Sequence, residues 1–477
     1  MTTPHLARWE LRAAFARRLS AMYGEEVPAY TTLVEVSEEV NRDFATAHPD
    51  LAEHLGSIAR VTAERHGAIR VGTPTELSQV ARIFAALGMY PVGFYDLREA
   101  AASSVPVVST AFRPTDREEL ARNPFRVFTS MLAVDDPRFF TPELQERLRA
   151  FLEQRTLFPE ELLALADRAD AEDGLPPEDA ERFLDLATAS FQLSDEPVEE
   201  TWYRELEAIS AVAADIGGVS STHINHLTPR VLDIDELYQR MEDRGITMID
   251  EVQGPPAWEG PDVLLRQTSF RALDEHRTFR FPDGSIGPGT LRVRFGEVEQ
   301  RGIALTPPGR DLYDQLIAET DRRLAEHPKR TRTDIAREVW REHLPLTEAE
   351  LDARGLGFFT YRPADDATST PTAGQGAVPL SALLRDGVLL AEPIVYEDFL
   401  PRSAAGIFQS NLTGEGTRDN RHQGTSYDAA SLSAMIGRPI ADPADLYSAQ
   451  RSASLEACEK ALGIEILDDY LGTPTTT

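Results

Sequence analysis

The feature that most constrains the fold of this chain is a pattern that occurs twice. The hydrophobic periodicity reads strand, helix, strand, strand, strand, and after a helical interval it reads so again. The first copy opens with His66-Gly-Ala-Ile-Arg-Val-Gly. Thr75 is expected to cap a helix from Glu76 to Leu87, with Leu77, Val80, Ile83, Phe84 and Leu87 on one face and Gly88 as its stop. Strand-like runs follow at Tyr90–Tyr95, Val105–Phe112 and Phe125–Leu132. The second copy opens with the strand-like Thr222-His-Ile-Asn-His-Leu-Thr-Pro-Arg and continues as a helix from Asp235 to Arg244, stopped by Gly245. It closes with runs at Ile246–Gln253, Leu264–Leu273 and Leu291–Arg301.

The repeat divides the chain. Residues 1–65 read as an N-terminal helical segment, 66–140 as the first βαβββ module, and 141–215 as a helical insertion in which Thr141-Pro-Glu and Leu175-Pro-Pro-Glu start helices. Residues 216–305 form the second module. Residues 306–477 form a helical and mixed C-terminal segment that closes the pocket, with two helices over 309–345, a strand at Val388–Val395, and a turn-rich loop from Pro401 to Gly406. Asp365–Gly376 reads as flexible, and Leu471–Thr477 as frayed.

Composition narrows the function. With 48 Lys and Arg against 79 Asp and Glu, the net charge is −31. A surface so acidic repels phosphate backbones and anionic lipid, which argues against nucleic acid and membrane as main partners. Cys458 is the single cysteine, so neither an intramolecular disulfide nor a thiolate zinc site can form, and a reducing, cytoplasmic setting is expected. No run has the length of a membrane span, and no signal peptide is legible at the N-terminus. The oligomeric state cannot be read from the sequence.

Strand parity selects the site candidates. His66 and Arg70 share a face and lie about 13 Å apart along an extended strand. That spacing suits a metal ligand at one end and a guanidinium clamp for a distal carboxylate at the other. His223 and His226 have opposite parity, and the repeat matches His226 to His66, leaving His223 a supporting or structural residue. On the closing strand Glu297 and Glu299 share a face. The local likeness of Phe125-Arg-Val to Leu291-Arg-Val sets Met131 opposite Glu297, so the first module contributes no carboxylate. Two histidines and one glutamate, either Glu297 or Glu299, match the 2-His-1-carboxylate set of non-haem Fe(II) oxygenases, and Zn(II) and Mn(II) suit the same donors. Taken singly, each of these residues reads as well as a hydrogen-bonded strand histidine, a surface carboxylate or an ion-paired arginine. It is the recurrence of histidine at equivalent positions that raises the metal reading above these.

Paired strand-helix-three-strand modules with ligands on their first and last strands resemble the vicinal oxygen chelate superfamily. More narrowly, four stretches resemble the 2-oxoadipate dioxygenase/decarboxylase family, long catalogued as a domain of unknown function: His66-Gly-Ala-Ile-Arg-Val-Gly-Thr; Ser221-Thr-His-Ile-Asn-His-Leu-Thr-Pro-Arg; Arg294-Phe-Gly-Glu-Val-Glu-Gln-Arg-Gly; and Tyr396-Glu-Asp-Phe-Leu-Pro-Arg-Ser-Ala-Ala-Gly-Ile-Phe-Gln-Ser-Asn. The resemblance covers about residues 5–465. It implies an α+β fold in which two such modules make a partly closed β-barrel around a metal. It further implies an Fe(II)-dependent enzyme of lysine catabolism that converts 2-oxoadipate and O2 to 2-hydroxyglutarate and CO2. By the same resemblance His66, His226 and Glu297 are the iron ligands, Arg70 holds the distal carboxylate, and the loop at Arg402 and Ser403 closes the pocket. An apolar residue commonly precedes that serine in the family, and Arg402 departs from the pattern. The competing readings are a glyoxalase-type isomerase or ring-cleaving dioxygenase on the same scaffold, and a non-catalytic small-molecule-binding protein.

Overall fold

Strand β1 (Arg65–Val71) is buried along nearly its whole length, and the rest of the sheet is arranged about it. A computed structural model describes residues 5–49, 58–99, 105–291, 294–364, 377–400, 411 and 422–470. After β1 the chain turns through Gly72 into helix α3 (Pro74–Ala85), preceded in the chain by α1 (Arg8–Glu26) and α2 (Pro28–Ala47). The cap of α3 is Thr73, whose side chain accepts from the Glu76 amide while the Glu76 carboxylate accepts from the Thr73 amide. The cap therefore lies two residues before the expected one, because Pro74 occupies the first turn of the helix, where no amide hydrogen is needed. Leu77, Val80, Ile83 and Phe84 are buried on its inner face, each contributing roughly 1.5–3 kcal/mol of apolar transfer. Gly88 leaves the helix at φ +66°, a left-handed conformation that a glycine adopts without strain.

Strands β2 (Tyr90–Asp96), β3 (Val107–Arg113) and β4 (Arg126–Leu132) complete the first module, and β5 (Ile224–Pro229) joins it to the second. Their order across the sheet is β2-β3-β4-β1-β5; β4 runs parallel to β1 and β5 antiparallel. Along the β1–β5 seam His66 pairs with Thr228 and Ala68 with His226. A shift of 160 residues maps one pair onto the other, so the two strands are related by a local two-fold in which His66 and His226 are equivalents. After helix α9 (Ile234–Asp243) the second module continues with β6 (Leu265–Ser269) and β9 (Glu297–Arg301), which pair antiparallel. Strand β9 lies beside the end of β5, through an Arg230–Glu299 bridge and a 2.8 Å bond from the Val231 amide to the Glu299 carbonyl. The fold is thus mixed α and β, with the repeat visible as two strand groups meeting at β1 and β5.

Two expectations about the second module fail. Ile246–Gln253 is not a strand: it makes only isolated bridges, Met248 to Phe270 and Gln253 to Gln267. The run Leu291–Arg301 is not continuous either. Leu291 ends β8 (Ile286–Leu291), which with β7 (Glu275–Arg280) forms a hairpin inserted between β6 and β9. At Gly296 a Cβ would stand 2.0 Å from the Phe270 ring, so the chain passes that ring too closely for any side chain before β9 begins. The local match that set Met131 opposite Glu297 falls with it. Register places Ala68 beside Phe128 and Arg230 beside Glu299, so the two-fold makes Phe128, not Met131, the counterpart of Glu297.

Between β4 and β5 the chain forms α4 (Pro142–Gln154), α5 (Glu160–Glu172), α6 (Pro177–Ser190), α7 (Glu200–Glu207) and α8 (Ala211–Gly217). Helix α1 anchors the site from behind, since the Tyr23 hydroxyl donates to the carbonyls of Asn225 and Phe295, both at 3.0 Å. From α2 the Asn41 amide bonds the Arg230 carbonyl and the Leu232 amide, which fixes the exit of β5. A second core, around Trp340, is built by α10 (Pro307–Glu326), α11 (Arg332–His343), the β10 (Phe359–Pro363) and β11 (Leu389–Pro393) pair, and α12 (Pro443–Leu462). Among the described residues no helix is long and apolar enough to cross a membrane.

Candidate metal centre

The β1–β5 seam brings His66 and His226 face to face, and β9 brings Glu297 over both. His226 Nε2 lies 3.3 Å from His66 Nε2 and 3.5 Å from Glu297 Oε2, and Glu297 Oε2 lies 3.8 Å from His66 Nε2. Among the described residues these three form a group whose ligand atoms converge, all within 4.8 Å of one another, and all three side chains are buried.

Several features of the site fit a divalent cation. A triangle with those edges has a common point about 2.1 Å from each corner, which is the bond length of first-row divalent ions to nitrogen and oxygen. Burial holds His66 and His226 below the ordinary imidazole value, so both are neutral and present lone pairs. Burial, with Glu299 nearby, pushes the Glu297 carboxyl up to about 8. A buried carboxylate facing two neutral acceptors is unfavourable as an anion until a cation stands among them.

Glu299 has a different task. Its Oε2 accepts from His66 Nδ1 at 2.9 Å and from Arg301 Nη2 at 2.9 Å, and its Oε1 accepts from Arg301 Nε at 2.7 Å. Burial alone would raise its carboxyl, but Arg301 and His66 outweigh that and hold it well below the carboxylate range. An ionised Glu299 therefore fixes the proton of His66 on Nδ1 and turns Nε2 inward. The sequence left Glu297 and Glu299 as rivals for one place; the geometry sends them to opposite edges of the same imidazole. Arg301 is backed in turn by Glu64 at 3.5 Å, and Glu64 pairs with Arg126 and Arg230. Phe399 closes the other side of His66, with ring centroids 4.7 Å apart, and Phe295 lies against His226 at 5.4 Å.

Arg70, four residues along β1, is buried and donates from Nη1 to Asp215 at the end of α8. Its charge reaches both His226 and Glu297. The same Asp215 oxygen accepts from Asn225 Nδ2 at 2.9 Å, and the other stands 3.4 Å from His223 Nε2. His223 thus sits with Asp215 and Asn225, away from the convergent atoms. Asp215 was not singled out from the sequence. Its signal was a lone acid in the small-residue run before Gly217-Gly218. Arg402 and Ser403 lie outside the described residues; the chain on either side is held by Phe399 at His66 and by Asn411, whose amide bonds Ser269 Oγ at 2.7 Å.

Comparison with known proteins gives a consistent result. A family model described as 2-oxoadipate dioxygenase/decarboxylase matches residues 15–411. A Mycobacterium tuberculosis protein named 2-oxoadipate dioxygenase/decarboxylase is 55% identical over 440 residues, covering 92% of this chain and 96% of its own. A Pseudomonas putida protein of the same name is 40% identical over 461 residues, covering 95% and 97%. Among solved structures, the hydroxyglutarate synthase of Pseudomonas putida in complex with 2-oxoadipate superposes with a TM-score of 0.82 at 38% identity, over 96% of this chain and 99% of that one. The chain belongs to the 2-oxoadipate dioxygenase/decarboxylase family, a family of oxidoreductases.

Proposed function

We propose that this protein is an Fe(II)-dependent dioxygenase that converts 2-oxoadipate and O2 to 2-hydroxyglutarate and CO2, with His66, His226 and Glu297 as the metal ligands. The observation that carries the ligand assignment is the convergence of two imidazole Nε2 atoms and one carboxylate oxygen in a buried site. Iron held there supplies dioxygen activation and a template for a chelating 2-oxo acid. Atoms balance without a second organic reductant, since loss of the substrate's own carboxyl as CO2 provides the electrons that a separate 2-oxo acid would otherwise supply.

The chain's own side chains do the rest. Glu299 and Arg301 hold His66 in the tautomer that leaves Nε2 bare. Arg70 fixes the length and direction of the substrate by holding its distal carboxylate, so that a short carbon chain spans from the triad to the guanidinium. Phe295 and Phe399, packed on the two histidines, keep water from the reacting end. Arg402 and Ser403 are proposed to close over the bound substrate. The paired modules are read as a vicinal oxygen chelate fold curved around the metal. The first module offers Phe128 where the second offers Glu297, so no fourth protein ligand of the kind a glyoxalase-type isomerase wants comes from that position. We place the reaction in the cytoplasm and in lysine catabolism; a chain with one cysteine needs no oxidising compartment to fold.

The test is oxygen uptake by Fe(II)-loaded protein across 2-oxo dicarboxylic acids of differing chain length. The expected result is uptake maximal with 2-oxoadipate, with one CO2 and one 2-hydroxyglutarate per O2. Turnover that continues without O2 would replace the dioxygenase by an isomerase.

A further inference from the structure

Arg277 is the second residue past the start of the inserted hairpin strand β7 and is only 8% exposed, between the exposed His276 and Thr278. Its neighbours on the same face locate it. Glu275 accepts from Arg294 at 2.7 Å, and Arg294 lies over the Tyr23 ring, whose hydroxyl bonds the Asn225 carbonyl. Phe279, on the other side, meets the edge of Tyr203 at 6.2 Å. Arg277 therefore faces the group formed by Asp215, His223 and Asn225, at the Arg70 end of the site. Its charge acts on His223, and those of Asp215 and Glu275 act on it, but it makes no hydrogen bond or ion pair among the described residues. The buried Tyr203 hydroxyl beside it likewise has no hydrogen-bond partner among them. Two donors without acceptors in one buried place are unfavourable unless an anion reaches them.

The charges at this end of the site show which anion. Burial raises the Asp215 carboxyl, but it is held below its ordinary value with Arg70 and the Asn225 amide both donating to it, while burial lowers His223 to about 4 and leaves it neutral. Arg70 and Asp215 thus form a pair with no net charge. A distal carboxylate brought to Arg70 adds one negative charge to a buried, already neutral unit, which desolvation opposes. Arg277 carries the missing positive charge.

We propose that Arg277 binds the distal carboxylate of the substrate together with Arg70, and that it sets the preference for dicarboxylic over monocarboxylic 2-oxo acids. This rests on the function proposed above. The probes are 2-oxoadipate and 2-oxohexanoate, of equal chain length but ending in a carboxylate and a methyl group. Their binding to the Co(II)-loaded protein is measured calorimetrically without O2, alongside kcat/KM with Fe(II). In Arg277→Gln, 2-oxoadipate is expected to bind about 30-fold more weakly, the equivalent of one charge-assisted contact. Binding of 2-oxohexanoate should stay within about threefold, and Arg277→Lys should recover part of the loss. Adding Asp215→Asn to Arg277→Gln removes the uncompensated negative charge and should restore 2-oxoadipate binding by about tenfold, whereas a merely structural role predicts a further loss. An unchanged preference in Arg277→Gln, equal losses for both probes, or an additive double variant overturns the inference while the proposed function stands. Wild-type protein that binds neither probe overturns the proposed function, and this inference with it.

Discussion

Glu299→Gln separates the carboxylate that orients His66 from the one proposed as a metal ligand, Glu297. In the wild type Oε2 takes bonds from His66 and Arg301, and Oε1 a third from Arg301. A glutamine keeps one carbonyl oxygen, so the amide group that replaces the other oxygen must face a donor. One charge-assisted bond is lost, roughly 1.5–3 kcal/mol, and Arg301 loses its nearest countercharge. Arg301 keeps Glu64 at 3.5 Å and the carbonyls of Tyr396 and Asp398 at 2.8 and 3.0 Å, so the cost should be about 3 kcal/mol, at the low end for a broken buried pair. The larger effect falls on the metal. With His66 no longer held by an ionised acceptor, Co(II) affinity is expected to drop about 10–100-fold, the usual range for loss of such a partner. Chelator-competition titration gives the affinity, and urea unfolding gives the stability. Metal affinity within twofold of wild type, in protein that unfolds cooperatively, would refute the orienting role.

Further outcomes follow from the same geometry. Arg70→Ala should abolish 2-oxoadipate turnover while one metal per chain remains bound; elemental analysis beside oxygen uptake checks this, and normal turnover would remove Arg70 from the site. Away from the site, burial pushes the Asp352 carboxyl up to about 6 from an ordinary 3.8, although Tyr361 donates to it at 2.8 Å. The folded state therefore binds this proton more tightly than the unfolded chain does. Its stabilising contribution is complete below about pH 4 and is lost as pH rises through 6, by about 3 kcal/mol. Asp352→Asn keeps an acceptor for Tyr361 and should lose that dependence, so its urea midpoint relative to wild type should rise between pH 5 and pH 8; a constant difference would show that Asp352 ionises normally.

What the sequence disclosed about the site came from period and repetition. His66 and Arg70 share a face of a strand that pairs with β4 without a break, and the two-fold that equates His66 with His226 is the repeat itself, although β5 bulges at Asn225. Glu297 and Glu299 stayed undecided because parity places both on one face, and only the third dimension shows that one addresses Nε2 and the other Nδ1 of His66. The closing strand was misread because Leu291, Val293 and Phe295 continue an alternation that Gly296 ends; a glycine inside a strand pattern was the available warning. Arg277 was missed for the converse reason. It lies in a hairpin with no counterpart in the first module, among residues polar enough to read as surface, so neither periodicity nor the repeat reached it.

The most direct test of the central claim, that three side chains from β1, β5 and β9 make one metal site, is the metal content of purified protein and of His66→Ala, His226→Ala and Glu297→Ala. One divalent ion per chain in the wild type, and less than about a tenth in each variant with cooperative unfolding retained, is the predicted result. Full occupancy in any of the three folded variants would contradict the assignment.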